Sequence, residues 1–354
     1  MIASPGRLRC VLMAAFLSCA GPLSTAAAQV ANPAAADLFD GQALRVVLCG
    51  TSGPLPDPAR AKSCTLVIAG EAAYVVDTGP ESWEQIARMA IPGTRIAGIF
   101  LTHYHSDHIG ELGEFRMQTM VAGRAVQLPV FGPTGVRDVV QGFNQAYRLD
   151  TEHRLAHHGA EVINAAAADL IARPFGEAFT GDGRSEAVIL EADGLKVIAF
   201  EVDHDPVRPA VGYRFEWKGR SVVVSGDAAR SDNLIANARG ADVLVGDNLA
   251  APIIAQAQRM AAAGGNTRQA KLLADIPDYH ASPLELAQMA NEAGVRLLVY
   301  SHFVPPLQVA SPLYFAGVEA VRPRATWVAG FDGLRIDLPS GSDEIRQSGL
   351  LPQP

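Results

Sequence analysis

The sequence has no surplus of positive charge. Its 354 residues include 29 lysines and arginines against 37 aspartates and glutamates, a formal net charge of -8 with neutral histidines. Proteins that capture nucleic acid by electrostatic attraction present a basic surface, so the charge balance argues against that class of partner. Hydrophobic residues make up 49% of the chain and charged residues 19%, which is typical of a globular protein with a large buried core.

Long apolar runs are absent after residue 20, so no later segment is expected to span a membrane. Before that point, two arginines precede the short apolar stretch CVLMAAFLSCA (residues 10–20), and Ala26 and Ala28 follow in an A-x-A arrangement. This order is typical of a secretory signal. We therefore predict a signal peptide over residues 1–28 and a periplasmic or secreted protein, with a lipid anchor at Cys19 as the alternative.

Cysteine is scarce as well. Only four occur, and two of them lie in the predicted signal peptide. The remaining pair, Cys49 and Cys64, lacks the CxxC spacing of a zinc knuckle. These two residues flank a proline-rich turn between two strand-like runs, so a hairpin would place them opposite each other. A disulfide is compatible with an oxidising compartment, and two buried free thiols are equally compatible with the pattern.

Strand-like and helical patterns alternate through both halves of the chain, without a repeat of fixed period. Apolar runs such as LRVVLCG and RSVVVSG predict strands, whereas ESWEQIARMA and SPLELAQMANEAG predict helices. The alternation favours one α/β domain with two sheets over residues 42–340. An Ala- and Pro-rich leader over residues 29–41 precedes this domain, and a flexible tail over residues 341–354 follows it.

Histidine and aspartate are concentrated in LTHYHSDHIG (residues 101–110), after an apolar strand. His103 and His105 alternate by two, so both side chains point to the same side of an extended segment. Asp107 and His108 follow where the chain turns into a helix, which aims them at a neighbouring point. One segment can thus serve two metal ions. Imidazole and carboxylate suit zinc, with manganese, iron or cobalt as substitutes. A polar helix start capped by Asp107 leaves three histidines unexplained.

Three more ligand-type residues share a position with this motif. His204 ends the run LKVIAFEVD, Asp227 ends RSVVVSG and His302 ends RLLVYS. Each follows an apolar strand at its C-terminal end, where loops build sites on a rigid scaffold. A structural role explains any one of these residues, but their shared position favours a single metal site to which all of them contribute.

Four motifs together resemble the metallo-β-lactamase fold of hydrolases. They are HYHSDH, the VDH before PVRPAVGYR, SGD and the late YSH, in this order. The resemblance is strongest to the branch that contains ribonuclease Z and the metallo-arylsulfatases, and it runs from about Val46 to about Leu338. It implies an αββα sandwich, with two mixed β-sheets flanked by helices and a dinuclear site at the edge where the sheets meet.

The resemblance also implies ligands for two zinc ions. The first ion takes three imidazoles, those of His103, His105 and His204. The second takes Asp107, His108 and His302. Asp227 is implied to bridge both ions together with a hydroxide, the nucleophile. Asp77 is implied to orient a ligand histidine through its ring N–H, and a turn or helix-cap aspartate is the alternative reading.

His280 is the candidate general acid. It stands in DYHASPLELAQMA, where the ribonuclease Z branch carries His-Ser-Thr-Ala and its histidine assists the leaving group. The match is partial, because this chain has His-Ala-Ser-Pro. The branch also carries a glutamate where this chain has the shorter Asp247, which would orient His280 and raise its pKa. With Asp107 these two residues are the predicted catalytic residues, and a helix-cap or surface role for His280 is the alternative.

The resemblance implies hydrolysis but leaves the substrate open. Members that process tRNA commonly carry a long arm after the position of His204, whereas here only two strands and a turn separate His204 from Asp227. We predict a dinuclear zinc hydrolase of small esters, aryl sulfate or phosphodiester, without a nucleic-acid partner. The alternatives are a β-lactam or lactone hydrolase and a non-catalytic metal-binding protein. Arg208 is either an anion clamp or part of a surface ion pair. The sequence is compatible with a homodimer and does not determine the oligomeric state.

Overall fold

The computed structural model describes residue 35 and residues 37–353, except for residues 177, 178, 180, 182 and 307–312. The predicted signal peptide, with Cys19, and most of the predicted leader lie outside the described residues. None of the helices formed by the described residues is long and apolar enough to cross a membrane.

The described residues form fifteen strands in two sheets. In chain order the strands are β1 (Ala43–Gly50), β2 (Cys64–Ala69), β3 (Ala72–Val76), β4 (Ile96–Phe100), β5 (Leu128–Gly132), β6 (Leu170–Pro174), β7 (Glu186–Ala192), β8 (Leu195–Val202), β9 (Ala210–Trp217), β10 (Arg220–Val224), β11 (Val243–Leu249), β12 (Leu297–Val304), β13 (Trp327–Ala329), β14 (Leu334–Pro339) and β15 (Arg346–Gly349). The first sheet has the order β15-β14-β1-β2-β3-β4-β5-β6, and the second has the order β13-β12-β11-β10-β9-β8-β7.

Both sheets mix parallel and antiparallel pairs. In the first sheet β3 is antiparallel to β2 and parallel to β4. In the second, β10 is antiparallel to β9 and parallel to β11. The two mixed sheets predicted from the sequence are therefore confirmed.

Ten α-helices accompany the strands in the described part of the chain. They are α1 (Ser82–Arg88), α2 (Ser106–Ile109), α3 (Leu112–Val121), α4 (Val136–Ala146), α5 (Arg148–His158), α6 (Asp232–Asn237), α7 (Ala251–Ala263), α8 (Thr267–Asp275), α9 (Pro283–Glu292) and α10 (Val318–Val321). The helix α9 begins at a capping box, in which Ser282 accepts a hydrogen bond from the Glu285 amide and Glu285 accepts one from Ser282.

The strand β1 shows how one apolar run serves two layers of the sandwich. All eight of its residues are buried. Leu44, Val46 and Leu48 pack in the core between the two sheets, because alternate side chains of a strand point to opposite faces. Val47 and Cys49 pack on the outer face of the first sheet with residues of α1 and α3. A third core joins the second sheet to α6 and α9, which completes the αββα order of layers.

The end of the chain corrects the predicted domain boundary. The flexible tail was predicted from residue 341, but residues 346–349 form β15 and pair antiparallel with β14. Backbone carbonyls of the connecting segment also accept hydrogen bonds from Arg220 and Arg296. The four residues RQSG are exposed and carry no apolar alternation, so their pattern does not predict a strand. They form one by pairing with the free edge of β14.

The last residues of the predicted leader are also part of the fold. Leu38 is fully buried, and it packs with residues of β1 in the core beneath α1 and α3. The carboxylate of Asp37 accepts two hydrogen bonds from Arg335, at 2.7 and 2.9 Å. The segment just before residue 42 therefore packs onto the domain.

The two cysteines left after the signal peptide form a disulfide. Cys49 lies on β1 and Cys64 begins β2, with their Cα atoms 4.9 Å apart. Both side chains are buried. The structure thus selects the disulfide from the two alternatives that the sequence left open.

Reduction of this disulfide should destabilise the protein. The bond joins residues 15 positions apart, and closing a loop of that length is worth about 3 kcal/mol of unfolding free energy. Urea unfolding with and without a reductant measures the difference. The double variant Cys49→Ala/Cys64→Ala should match the reduced protein and not respond to reductant. Equal unfolding midpoints for the oxidised and reduced wild type would contradict the prediction.

Candidate metal centre

The segment after β4 places the HYHSDH residues at the edge between the sheets. His103 and His105 lie on extended chain before α2 begins at Ser106, so the two rings point to the same side. His103 Nε2 and His105 Nδ1 are 2.9 Å apart. Asp107 and His108 lie in the first turn of α2, which turns them toward a second point, as their spacing predicts.

The second sheet supplies the partners of the first cluster. His204 follows β8 and Asp227 follows β10. His103 Nε2 and His204 Nε2 lie 3.8 and 3.9 Å from Asp227 Oδ2. One ligand atom from each of four residues falls within 4.8 Å of the others, namely in His103, His105, His204 and Asp227.

A second cluster lies on the other side of Asp227. Its members are Asp107, His108 and His302. His302 Nε2 lies 3.1 Å from Asp107 Oδ2 and 3.2 Å from His108 Nε2. His108 Nε2 and His302 Nε2 lie 3.3 and 3.4 Å from the two oxygens of Asp227. The carboxylate of Asp227 thus stands between two groups of ligand atoms, where one residue can contact two ions.

The ring nitrogens on the far side of the site hold three of the histidines in place. His204 Nδ1 donates to the carbonyl of Tyr279 at 2.9 Å, and His108 Nδ1 donates to Asp77 at 2.8 Å. His103 Nδ1 lies 3.1 Å from the hydroxyl of Thr102. Each contact engages Nδ1 and leaves Nε2 facing the cluster, which is the arrangement found around histidines that bind metals.

Charge and burial also fit divalent cations. Burial holds the pKa of His103 well below its ordinary value and lowers the pKa of His204 to about 4, so both rings are neutral at pH 7. Burial opposes ionisation of Asp227, but the imidazoles of His302 and His108 hold its pKa well below the usual range.

The donor atoms themselves support the fit. His204 Nε2 and an oxygen of Asp227 are buried without a hydrogen-bond partner among the described residues. Unpaired buried polar atoms are costly, and coordination of a cation would satisfy them. A set of imidazole nitrogens and carboxylate oxygens suits zinc, manganese, iron or cobalt. The residues therefore fit a dinuclear metal site.

Asp77 connects the two clusters from behind. Its carboxylate accepts hydrogen bonds from the Thr102 amide and hydroxyl, both at 2.9 Å, and from His108 Nδ1. It reaches His103 through the Thr102 hydroxyl. The backbone of Asp77 has a φ of 61°, in the left-handed region that is uncommon for a residue with a side chain. The structure favours the orienting role of Asp77 over a turn or cap role.

His280 and Asp247 lie together beside the second cluster. His280 Nδ1 donates to Asp247 Oδ2 at 2.6 Å, and the His280 ring stacks 5.7 Å from that of His302. Both side chains are buried. Burial raises the pKa of Asp247, against the effect of its hydrogen bond with His280. The shorter carboxylate therefore reaches the imidazole, and Ser282, not His280, caps α9.

Arg208 lies outside this arrangement. Its guanidinium is exposed, pairs with Asp205 at 2.7 Å and donates to the carbonyl of Gly181 at 3.1 Å. This geometry matches the surface ion pair and not the anion clamp.

Sequence reasoning missed two neighbours of the site. Thr102 links Asp77 to His103, and its place directly before the HxHxDH pattern was the available signal. Tyr279 accepts the His204 bond through its carbonyl, and its ring lies 5.0 Å from that of His204. Because any residue can supply a backbone carbonyl, the sequence gives no signal for a contact of this kind.

Comparison with protein families gives a match over residues 73–303 to the Beta-lactamase superfamily domain. The chain belongs to the metallo-β-lactamase superfamily. Ribonuclease Z of Mycobacterium bovis is 35% identical over 267 residues, which are 75% of this chain and 87% of the relative. Ribonuclease Z of Mycobacterium avium is 34% identical over the same shares of both chains. The protein is thus a metal-dependent hydrolase of this superfamily and is related to ribonuclease Z.

Solved structures of the superfamily share the fold at lower identity. The short form of human tRNase Z has a TM-score of 0.60 at 19% identity, over 84% of this chain and 100% of that chain. A diphosphatase from the PhnP family has a TM-score of 0.55 at 17% identity, over 84% and 99%. Zn(2+)-bound PqqB from Methylobacterium extorquens has a TM-score of 0.53 at 17% identity, over 83% and 100%.

Asp77→Asn should weaken the binding of both metal ions. Because Asp77 holds His108 directly and His103 through Thr102, we expect each affinity to fall by about 10- to 100-fold. Thr102→Val should weaken mainly the binding of the ion at His103, because His108 keeps its direct bond to Asp77. Competition with a chelator measures the affinities.

The control is Asp242→Asn. Asp242 is buried and paired with Arg220 at 2.9 Å, just before β11 and therefore at the opposite end of that strand from Asp247. This variant should lose stability and keep both metal affinities. Unchanged metal binding in Asp77→Asn would contradict the orienting role.

Proposed function

We propose that this protein is a dinuclear zinc-dependent phosphodiesterase that acts on small ester substrates. The observation that carries the proposal is the position of Asp227 between two groups of ligand atoms, with the His280–Asp247 pair alongside. The relatives named ribonuclease Z support phosphodiester chemistry over the aryl sulfate, β-lactam and lactone alternatives. The full set of inward-facing ligands weighs against a non-catalytic metal-binding protein.

Two bound divalent ions would make water a nucleophile near neutral pH and neutralise negative charge on the substrate. The protein's own residues account for the rest of the reaction. His103, His105 and His204 would hold one ion. Asp107, His108 and His302 would hold the other, and Asp227 would contact both.

His280 would protonate the leaving group. Its Nδ1 proton is committed to Asp247 at 2.6 Å, so only Nε2 is free to deliver a proton to the departing oxygen. Asp247 also accepts the Ala228 amide at 3.1 Å, which fixes the carboxylate on both sides. A positioned imidazole of this kind contributes most when the leaving oxygen is strongly basic.

The short connection between the two sheet-end ligands supports small substrates over RNA. Between His204 and Asp227 the chain contains a short loop over residues 205–209, then β9, the turn at Lys218 and Gly219, β10 and residues 225 and 226. Residues 205–226 therefore contain no long protruding arm that could bind a large nucleic acid. The net charge of -8 and the predicted export of the chain favour the same choice.

An activity screen tests this function. The metal-loaded protein should hydrolyse bis-p-nitrophenyl phosphate faster than p-nitrophenyl sulfate or nitrocefin, and a chelator should abolish the reaction. Asp227→Ala should lose at least one bound ion and more than about 100-fold in kcat, the scale of losing one electrostatic stabiliser. The matched control is Asp203→Ala, an exposed aspartate next to His204, which should keep both. Preferential cleavage of a tRNA precursor, or no phosphodiester turnover with two ions bound, would contradict the proposal.

His280→Ala should separate substrates by their leaving groups. With a phenyl or alkyl leaving group we expect kcat to fall by about 10²- to 10⁴-fold, because that oxygen needs the proton. With p-nitrophenolate, which leaves without help, the loss should be small. Asp247→Asn should show the same pattern more weakly.

Metal content has to be measured in these variants, because His280 and Asp247 lie within 4.8 Å of ligand atoms of Asp227 and His302. Both variants should retain two ions. An equal loss for both leaving groups, or loss of an ion, would contradict the role as general acid.

A further inference from the structure

The strand that carries His302 contains an extra residue at the metal centre. In the parallel pair of β11 and β12, Gly246 lies opposite Tyr300 and Asn248 lies opposite Phe303. Two steps along β11 therefore match three steps along β12. The added residue falls at Ser301 and His302. Irregularities of this type occur beside active sites, where they aim a side chain out of the regular alternation.

The backbone of His302 has an uncommon conformation at this point. Its φ is 50°, in the left-handed region, which is unfavourable for a residue with a side chain. Surrounding contacts must therefore maintain it. The amide of Phe303 donates to the Thr51 carbonyl at 2.9 Å, which holds the backbone on the C-terminal side.

Asn248 holds the backbone on the other side. Its Nδ2 donates to the carbonyl of Ser301 at 2.6 Å, and the side chain is fully buried. This bond is the only side-chain hydrogen bond that the described residues make to the Ser301–His302 backbone.

The ring of His302 lacks the support that three of the other histidines have. His103, His108 and His204 are each fixed through Nδ1 by Thr102, Asp77 and Tyr279. The Nδ1 of His302 is buried without a hydrogen-bond partner among the described residues. Apart from the contact of Nε2 with Asp107, its direction therefore depends on its backbone and on packing, including the close approach of Gly53, where an added Cβ would lie 3.1 Å from the ring.

We infer that Asn248 is the positioning residue for His302. By holding the Ser301 carbonyl, it keeps the left-handed backbone that points His302 Nε2 at Asp107 and His108. Asn248 lies next to Asp247, so adjacent residues of β11 position the candidate acid and a ligand of the second ion. The inference rests on the proposed metal-binding role of His302.

Asn248→Leu tests this role, because leucine has a similar volume and cannot donate. We expect the affinity for one of the two ions to fall by about 10- to 100-fold, while the other affinity stays unchanged. In the cobalt-substituted protein, the visible absorption of one ion should change and that of the other should not. A generally destabilised protein would not show this selectivity.

The matched control is Asn144→Leu. Asn144 also donates to a backbone carbonyl, that of Leu170 at 3.0 Å, and it accepts a bond from the buried Arg116. This variant should lose at least as much stability and keep both metal affinities and the cobalt spectrum. Asn248→Ala, which relieves any crowding by leucine, is the second variant.

Two unchanged affinities and an unchanged cobalt spectrum in either folded Asn248 variant would overturn the inference. If neither variant folds while Asn144→Leu does, Asn248 has a general structural role, and this result also overturns it. His302→Ala separates the two proposals. Retention of both ions in His302→Ala would refute the metal-binding role itself, whereas loss of one ion leaves only the role of Asn248 in question.

Discussion

Burial of several carboxylates at one edge between the two sheets is the constraint on which this structure depends. Asp77, Asp107 and Asp227 are all buried there. Buried charges persist only when they are paired or bind cations. Their combined effect, against the opposing effect of burial, raises the pKa of His108 well above its ordinary value, which shows how strongly this edge attracts positive charge. Two divalent cations would meet that demand and would leave the histidines neutral.

The two sheets share the work of holding such a site. The first sheet supplies the HYHSDH segment and Asp77, and the second supplies His204, Asp227 and His302. Neither sheet holds a complete set of ligands. Packing of the core between the sheets, which includes Val46 from one and Val245 from the other, therefore determines the distances between ligand atoms. The geometry of the site therefore depends on the same packing that stabilises the sandwich.

The sequence predicted the parts of the site that depend on local spacing. Alternation of His103 and His105, and the turn into α2 at Asp107, follow from the period of an extended chain and the start of a helix. The strand-end positions of His204 and Asp227 follow from apolar runs. The contacts that orient these ligands were not predictable in the same way. The Thr102–Asp77 bond joins residues that follow two different strands, and the Asn248–Ser301 bond joins residues of two different strands. The pairing of β15 depends on a free sheet edge.

Anomalous X-ray diffraction at the zinc edge, from crystals of the zinc-loaded protein, would test the dinuclear centre most directly. We expect two peaks on either side of the Asp227 carboxylate. One peak should lie among the nitrogens of His103, His105 and His204, and the other among the ligand atoms of Asp107, His108 and His302. A single peak, or none, with these seven side chains well defined would contradict the account.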